Sequence, residues 1–214
     1  MSFECPVGQV VLGADLGGGT AQVGKIVCVG RNYVAHIEEL GNEMPDSMVL
    51  FSKPRTAIAS RLTARHDDEA LHYEGEICFM VREGRLFAVA FGLDLTKRDL
   101  QSRLKAKGLP WERAKAFDGA ALFSPFVTFP GDTRELGLEL DIDGRPTQRG
   151  DTGLMIHKPM AVFAEISAFM TLEDGDIVMT GTPSGVGEVR VGARFEGRIV
   201  GGERVLTEGR WTAV

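Results

Sequence analysis

Short apolar runs separated by turn residues dominate the chain and predict strands more often than helices. Lys25-Ile26-Val27-Cys28-Val29 is rich in β-branched residues and stops at Gly30, so it predicts a buried strand. Met48–Ser52, Leu86–Leu93 and Ile177–Thr180 predict strands for the same reason. Leu138–Ile142 alternates as a half-exposed strand, and Asp143-Gly144 after it is a hairpin signal. Residues 188–214 alternate around Gly201-Gly202 and predict a final meander that closes the sheet. Three segments read as helices instead: Val34–Gly41, a stretch capped by Thr96 and running through Lys107 to Gly108, and Met160–Met170 after Pro159. Residues 1–22, with Pro6 and Gly17-Gly18-Gly19-Thr20, predict a loop or short hairpin arm ahead of one domain over 23–214. The glycine run lacks the lysine and the strand-to-helix setting of a phosphate loop.

The most informative run is Leu71–Val81, which reads as a strand. Its period of two places His72, Glu74, Glu76, Cys78 and Met80 on one face, and Tyr73, Gly75, Ile77, Phe79 and Val81 on the other. Two carboxylates about 7 Å apart then share a face, where a divalent cation would neutralise their repulsion. The alternative is a half-exposed strand with both glutamates in water. Asp94, at the end of the next strand, would add a third oxygen donor and complete a hard-oxygen set suited to Mg²⁺, Mn²⁺ or Ca²⁺.

Other polar residues are separate candidates for chemistry. His36 and Glu39, three apart on a helix, share a face, and a carboxylate beside an imidazole orients the ring for proton transfer. The same spacing also suits a solvated face. Lys53 ends an apolar strand and either faces solvent, the usual place for a lysine, or aims its ammonium into a cleft, and Lys115 sits among small and aromatic residues as a candidate buried cation. Gly181-Thr182-Pro183-Ser184-Gly185-Val186-Gly187 follows a buried strand and offers backbone N–H groups to a carboxylate or enolate, or else forms a plain tight turn. His66 reads as a surface residue and His157 as structural.

Composition narrows the class. With 214 residues, 43% hydrophobic and 25% charged, the chain is neither disordered nor fibrous, and no apolar run approaches the roughly 18 residues of a membrane span. A net charge of −6 and scattered basic residues argue against nucleic acid. Cys5, Cys28 and Cys78 form no metal or disulfide spacing and read as reduced thiols. The first basic residue is Lys25, so no signal or transit peptide is expected and a cytoplasmic protein is.

Six ordered blocks give the sequence a family resemblance. These are Gly30-Arg31-Asn32-Tyr33 with His36, Phe51-Ser52-Lys53-Pro54, His72-Tyr73-Glu74-Gly75-Glu76, Leu93 through Gln101, Lys115-Ala116-Phe117 and Gly181 through Gly187. From about Val23 to about Val200 the chain resembles the fumarylacetoacetate hydrolase family, in its short acylpyruvate hydrolase and oxaloacetate decarboxylase branch. The resemblance implies a mixed α/β but mainly β fold, a β-sandwich roll with a few short helices, and a homodimer. It implies Mg²⁺ or Mn²⁺ on Glu74, Glu76 and Asp94, a catalytic His36–Glu39 dyad on a lid, and Lys115 beside the metal. Arg31, Lys53, Arg98, Gln101 and Thr182 would contact a small 2-oxo acid. Lys97 stands where the family often has alanine, which would alter only nearby surface. The expected reactions are C–C hydrolysis of acylpyruvates or decarboxylation of oxaloacetate through a metal-stabilised pyruvate enolate. Behind them come tautomerisation or isomerisation of an oxo-dicarboxylate, and a dimer that binds a dicarboxylate without turnover.

Overall fold

The computed structural model describes residues 6–41, 43–129 and 131–214. In chain order its principal elements are β1 (Lys25–Gly30), α1 (Val34–Glu39), β2 (Val49–Pro54), β3 (Gly75–Arg82), β4 (Arg85–Asp94), α2 (Arg98–Ala106) and α3 (Glu112–Lys115). After them come β5 (Ala121–Phe123), β6 (Leu136–Ile142), β7 (Arg145–Asp151), α4 (Pro159–Phe169), β8 (Ile177–Met179), β9 (Arg194–Gly201) and β10 (Arg204–Thr212). The fold is mainly β with short helices, as expected.

Two sheets carry the architecture. The larger has seven strands, in the order β5-β4-β3-β8-β1-β2, with Val127–Thr128 also paired to β4. Only its β8–β1 pairing is parallel. The smaller is antiparallel, in the order β7-β6-β9-β10. The alternation read along β3 separates two cores. Ile77, Phe79 and Val81 join Leu138, Leu140, Phe195 and Ile199 of the smaller sheet. Cys78 and Met80 join Ile26, Cys28, Ile177 and Met179, together with Val10 and Phe126. Both faces of the larger sheet are therefore buried, which is why β1 reads as a continuous apolar run rather than an alternating one. The sheets approach closely where a Cβ on Gly197 would lie 2.2 Å from the Phe91 ring, so glycine is required there.

Several expectations need correction. The final meander, β9–β10, extends the smaller sheet through β6 and does not close the larger one. Thr96 does not cap α2; Lys97 holds that position without a side-chain cap bond, and Thr96 is buried with its hydroxyl turned to Lys115. His66 is half-buried, its ring centroid 4.7 Å from that of Phe117. The predicted arm forms a real hairpin, Gln9–Val11 with Thr20–Gln22, across a left-handed Gly17-Gly18-Gly19 turn. Cys28 and Cys78 are buried free thiols, whereas Cys5 lies outside the described residues. Among the described residues no helix is long and apolar enough to cross a membrane.

Candidate active site

Glu76 stands on β3, and Glu74 stands at the break between the short strand His72–Tyr73 and β3. At that break the pairing partner changes from Gly187–Glu188 to β4. Asp94 ends β4, and its N–H donates to the Glu74 carbonyl at 2.9 Å, which fixes the two strand ends together. Carboxylate oxygens of Glu74, Glu76 and Asp94 lie within 4.8 Å of one another, and all three residues are buried.

Three cations answer them. Lys115, on the short α3, donates to Glu74 Oε2 at 2.8 Å, Asp94 Oδ2 at 2.7 Å and Thr96 Oγ1 at 2.6 Å. Lys53, at the end of β2, donates to the Lys115 carbonyl and places its ammonium 2.7 Å from Asp94 Oδ1. Arg98 opens α2, pairs with Glu74 Oε1 and donates to Gln101 Oε1 at 2.7 Å. Burial favours the neutral form of Glu74, but Lys115 and Arg98 outweigh it and hold this carboxyl well below the usual range. Glu76 goes the other way: burial, then Asp94 and Glu74, push it well up, with the Gly181 N–H at 2.7 Å as a partial counterweight. Lys115 is raised because Asp94 and Glu74 outweigh its own burial.

The donor set fits a hard divalent cation. All three donors are carboxylates, Glu76 is destabilised as an anion, and Asp94 Oδ1 is buried without a hydrogen bond, since Lys53 faces it as a charge but not along a bonding direction.

His36 Nδ1 lies 3.2 Å from Glu39 Oε2 on α1, and Glu39 Oε1 accepts the Gly185 N–H at 2.9 Å. Two N–H groups of the glycine-dense loop thus go to the protein's own carboxylates, that of Gly181 to Glu76 and that of Gly185 to Glu39. His36, Glu74, Glu76, Lys115 and Thr182 line one cleft, with Arg31, Arg98 and Gln101 on its wall. Arg31 adopts φ 57°, a left-handed conformation that costs a non-glycine residue roughly 1–2 kcal/mol. The neighbouring Asn32 holds it there: its amide donates to the carbonyls of His157 (2.9 Å) and Thr180 (2.8 Å), and its Oδ1 accepts the His157 N–H at 2.7 Å. His157 is thereby tied into the fold through its backbone, in keeping with a structural reading.

Three residues of this region escaped the sequence. Asn32 belongs to the Gly30-Arg31-Asn32-Tyr33 block, where its residue type alone gives it no role. Gln148 is buried on β7; its Oε1 accepts the Gly75 N–H at 2.9 Å, and its Nε2 donates to Thr182 Oγ1 and the Pro183 carbonyl, each at 2.9 Å. On a polar strand, nothing in sequence separates such a glutamine from a solvated one. Lys105 also lines the cleft, and here a signal existed, because Arg98, Gln101 and Lys105 fall at i, i+3 and i+7 of a helix. Lys97 is buried rather than superficial, with its ammonium 3.1 Å from Asp67 and 5.2 Å from the Phe117 ring centre.

Residues 25–209 match the family described as fumarylacetoacetate (FAA) hydrolase C-terminal. Oxaloacetate tautomerase YcgM of Escherichia coli (strain K12) is 40% identical over 187 residues, covering 79% of this chain and 85% of that protein. The mitochondrial oxaloacetate decarboxylase of Dictyostelium discoideum is 36% identical over 194 residues, covering 83% of this chain and 89% of the relative. Fumarylpyruvate hydrolase from Pseudomonas aeruginosa, solved with Mn²⁺ and pyruvate, superposes with a TM-score of 0.86 at 33% identity, covering 99% of this chain and 98% of that one.

Proposed function

The chain belongs to the fumarylacetoacetate hydrolase family of enzymes, and from that premise we propose that it is a divalent-cation-dependent keto–enol tautomerase of oxaloacetate. Cleavage and decarboxylation were expected ahead of tautomerisation. Relatives named oxaloacetate tautomerase support the reverse order, and one observation on the site carries it: both oxygens of Glu39 are engaged by the protein, one by His36 and one by Gly185. Glu39 is therefore placed to orient the imidazole. The second ring nitrogen of His36 is left to move a proton on a substrate held in the cleft.

Glu74, Glu76 and Asp94 would hold Mg²⁺ or Mn²⁺, which supplies Lewis acidity and a template for the adjacent carboxylate and carbonyl oxygens of a 2-oxo acid. The chain's own groups do the rest. Arg98 and Gln101 orient a substrate carboxylate, and the Thr182 hydroxyl borders the same space. His36 takes a proton from the substrate's C3; the C–H electron pair becomes the C2–C3 double bond, and the carbonyl pair moves to the oxygen. His36 then returns the proton to that oxygen, so the enol forms with nothing gained or lost. All three N–H bonds of Lys115 are committed to Glu74, Asp94 and Thr96, so it acts as a fixed positive charge beside the developing negative oxygen. The formal charges of Glu74, Glu76 and Asp94 against Lys53, Lys115 and Arg98 cancel, so a divalent cation leaves an excess of two positive charges, which suits a dianion.

The test follows ketonisation of enol-oxaloacetate by ultraviolet absorbance, with metal-stripped protein before and after Mg²⁺. Acceleration should appear with the metal, fall about 10²–10⁴-fold in His36→Ala, and stay absent in Glu76→Ala. The likeness to the Pseudomonas fumarylpyruvate hydrolase favours acylpyruvate hydrolysis as the second reading. Pyruvate release from acetylpyruvate without accelerated ketonisation would put hydrolysis first. We also keep a cytoplasmic location and a homodimer as proposals, tested by cell fractionation and by light scattering, which should return about twice the chain mass of 23.2 kDa.

A further inference from the structure

Lys53 carries an ammonium that the proton transfer does not use. Its side chain is fully shielded from solvent, and Lys53 is not among the described residues that line the cleft. It stands on β2, the edge strand of the larger sheet, opposite Ile26 of β1. From there it reaches two groups of the acidic centre: it donates to the carbonyl of Lys115, and its ammonium faces Asp94 Oδ1 at 2.7 Å. Neither group is held by its own element alone. The helix α3 spans only Glu112–Lys115, and Lys115 is its last residue, so the Lys115 carbonyl is among those a helix end leaves without an intrahelical partner. Lys115 is buried, its carbonyl needs a donor, and Lys53 supplies one. Asp94 presents Oδ2 to Lys115 and Oδ1 to Lys53, so two lysines orient one carboxylate, and Lys53 grips the backbone of the other lysine. Burying an ammonium is costly, and a methionine of nearly the same length would fill the space as well. What methionine cannot do is hold a carbonyl and a carboxylate at once.

We propose that Lys53 is a positioning residue that fixes the Asp94 carboxylate and the Lys115 backbone relative to each other, and through them sets the grip of the acidic centre on a divalent cation. This rests on the reading of Glu74, Glu76 and Asp94 as a metal centre. In this assignment Lys53 touches neither the substrate nor the reacting atoms, unlike the substrate contact that the family resemblance implies. A positioner and a bare counter-charge predict opposite signs. Removing a positive charge beside Asp94 makes the centre more negative, which by Coulomb's law alone would tighten the binding of a cation. Losing the geometry would weaken it.

The test is calorimetric titration of metal-stripped protein with Mg²⁺. Affinity should fall about 10–100-fold in Lys53→Met, the usual effect of removing a group that orients a metal ligand, and Lys53→Gln, which keeps an N–H donor, should lose less. Mg²⁺ binding that is unchanged or tighter in folded Lys53→Met would overturn the proposal. A second arm follows ketonisation at saturating Mg²⁺, where kcat of Lys53→Met should fall about tenfold or more while KM stays within about threefold. A raised KM at wild-type kcat would make Lys53 a substrate contact and overturn the proposal as well. If Lys53→Met does not fold, nuclear magnetic resonance of the wild type decides: the Lys53 ammonium should show coupling through the hydrogen bond to the Lys115 carbonyl carbon, and the coupling should persist with Mg²⁺ bound. Loss of that coupling on metal binding would overturn the assignment. The Mg²⁺ arm needs no turnover, so a wild type that binds the metal without ketonising enol-oxaloacetate would count against the tautomerase reading alone, and the second arm would then be read on pyruvate release from acetylpyruvate.

Discussion

At the scale of single residues, Glu74 and Glu76 stand two positions apart and respond to the same burial in opposite ways. Glu74 is held low by Lys115 and Arg98, so its contribution to stability is fully present above the unfolded carboxyl's pKa of about 4.3 and is lost as pH falls through its depressed value. Glu76 is raised, so its contribution is present below about pH 4.3 and is lost as pH rises through its elevated value. The metal-free protein should therefore lose stability from mildly acidic toward neutral pH, and Glu76→Gln should flatten that decline. The variant should also raise the neutral-pH melting midpoint by about 2–4 °C, equivalent to ~1 kcal/mol, and abolish any further rise on adding Mg²⁺; differential scanning calorimetry with and without the metal checks both. Lys115→Met leaves Glu74 and Asp94 without their shared cation and should cost roughly 3–5 kcal/mol in urea unfolding, partly recovered by saturating Mg²⁺. The acidic trio was legible because strand periodicity alone puts Glu74 and Glu76 on one face and the end of the next strand beside them. The sign of each shift was not: at Glu74 burial is outweighed by Lys115 and Arg98, which arrive from distant segments, whereas at Glu76 burial prevails with Asp94 and Glu74 beside it.

At the scale of elements, α1 carries the dyad yet spans only Val34–Glu39, far below the roughly 12–15 residues at which an isolated helix becomes marginally stable. Tertiary contacts must hold it: a backbone bridge between Tyr33 and Met155 at its start, and the Glu39–Gly185 hydrogen bond near its end. Native-state hydrogen exchange should find α1 amides opening at a small fraction of the global free energy, well before those of β3 and β4, with protection rising when a dicarboxylate is bound. Gly185 is the pivot of this latch. It sits at φ 98°, and a Cβ there would meet the Thr147 carbonyl at 2.3 Å, so Gly185→Ala must shift the loop that supplies the N–H to Glu39. We expect about 2 kcal/mol of destabilisation and a fall in turnover with the metal affinity nearly unchanged, measured by calorimetric titration beside the ketonisation assay. Helix and loop were each visible in the sequence, the first through His36 and Glu39 at helical spacing and the second through its glycines. Their docking was not, because it joins positions 39 and 185 through a backbone N–H that every residue type but proline offers.

At the scale of the whole molecule, the larger sheet has two buried faces and needs two covers. The smaller sheet supplies one, and its strands announce themselves by alternation. The other face, with Ile26, Cys28, Cys78, Met80, Ile177 and Met179, is covered in part by the N-terminal hairpin through Val10, with Leu12, Leu16 and Ala21 packed at its margin. The hairpin is fastened by backbone bonds from Gly13 to the Phe126 carbonyl (2.7 Å) and from Phe126 to the Val11 carbonyl (2.9 Å), and Asp15 accepts from the Thr128 N–H (2.7 Å) and hydroxyl (2.6 Å). In sequence this stretch looks dispensable: it is glycine-rich, lies outside the resemblance and precedes the matched residues 25–209. Its few apolar side chains carry no periodic signal, whereas the continuous apolar run of β1 did announce a second buried face without saying what lies on it. If the hairpin is a cover, deleting residues 1–22 should expose that face and remove on the order of 5 kcal/mol, a large share of the 5–15 kcal/mol that holds a typical domain folded. The expected signs are a lower urea midpoint, binding of a hydrophobic dye to the folded protein, and an acidic centre that still takes up Mg²⁺ in whatever fraction stays folded. A deletion variant with an unchanged midpoint and no dye binding would instead make the hairpin a loose appendage and residues 23–214 a self-sufficient folding unit.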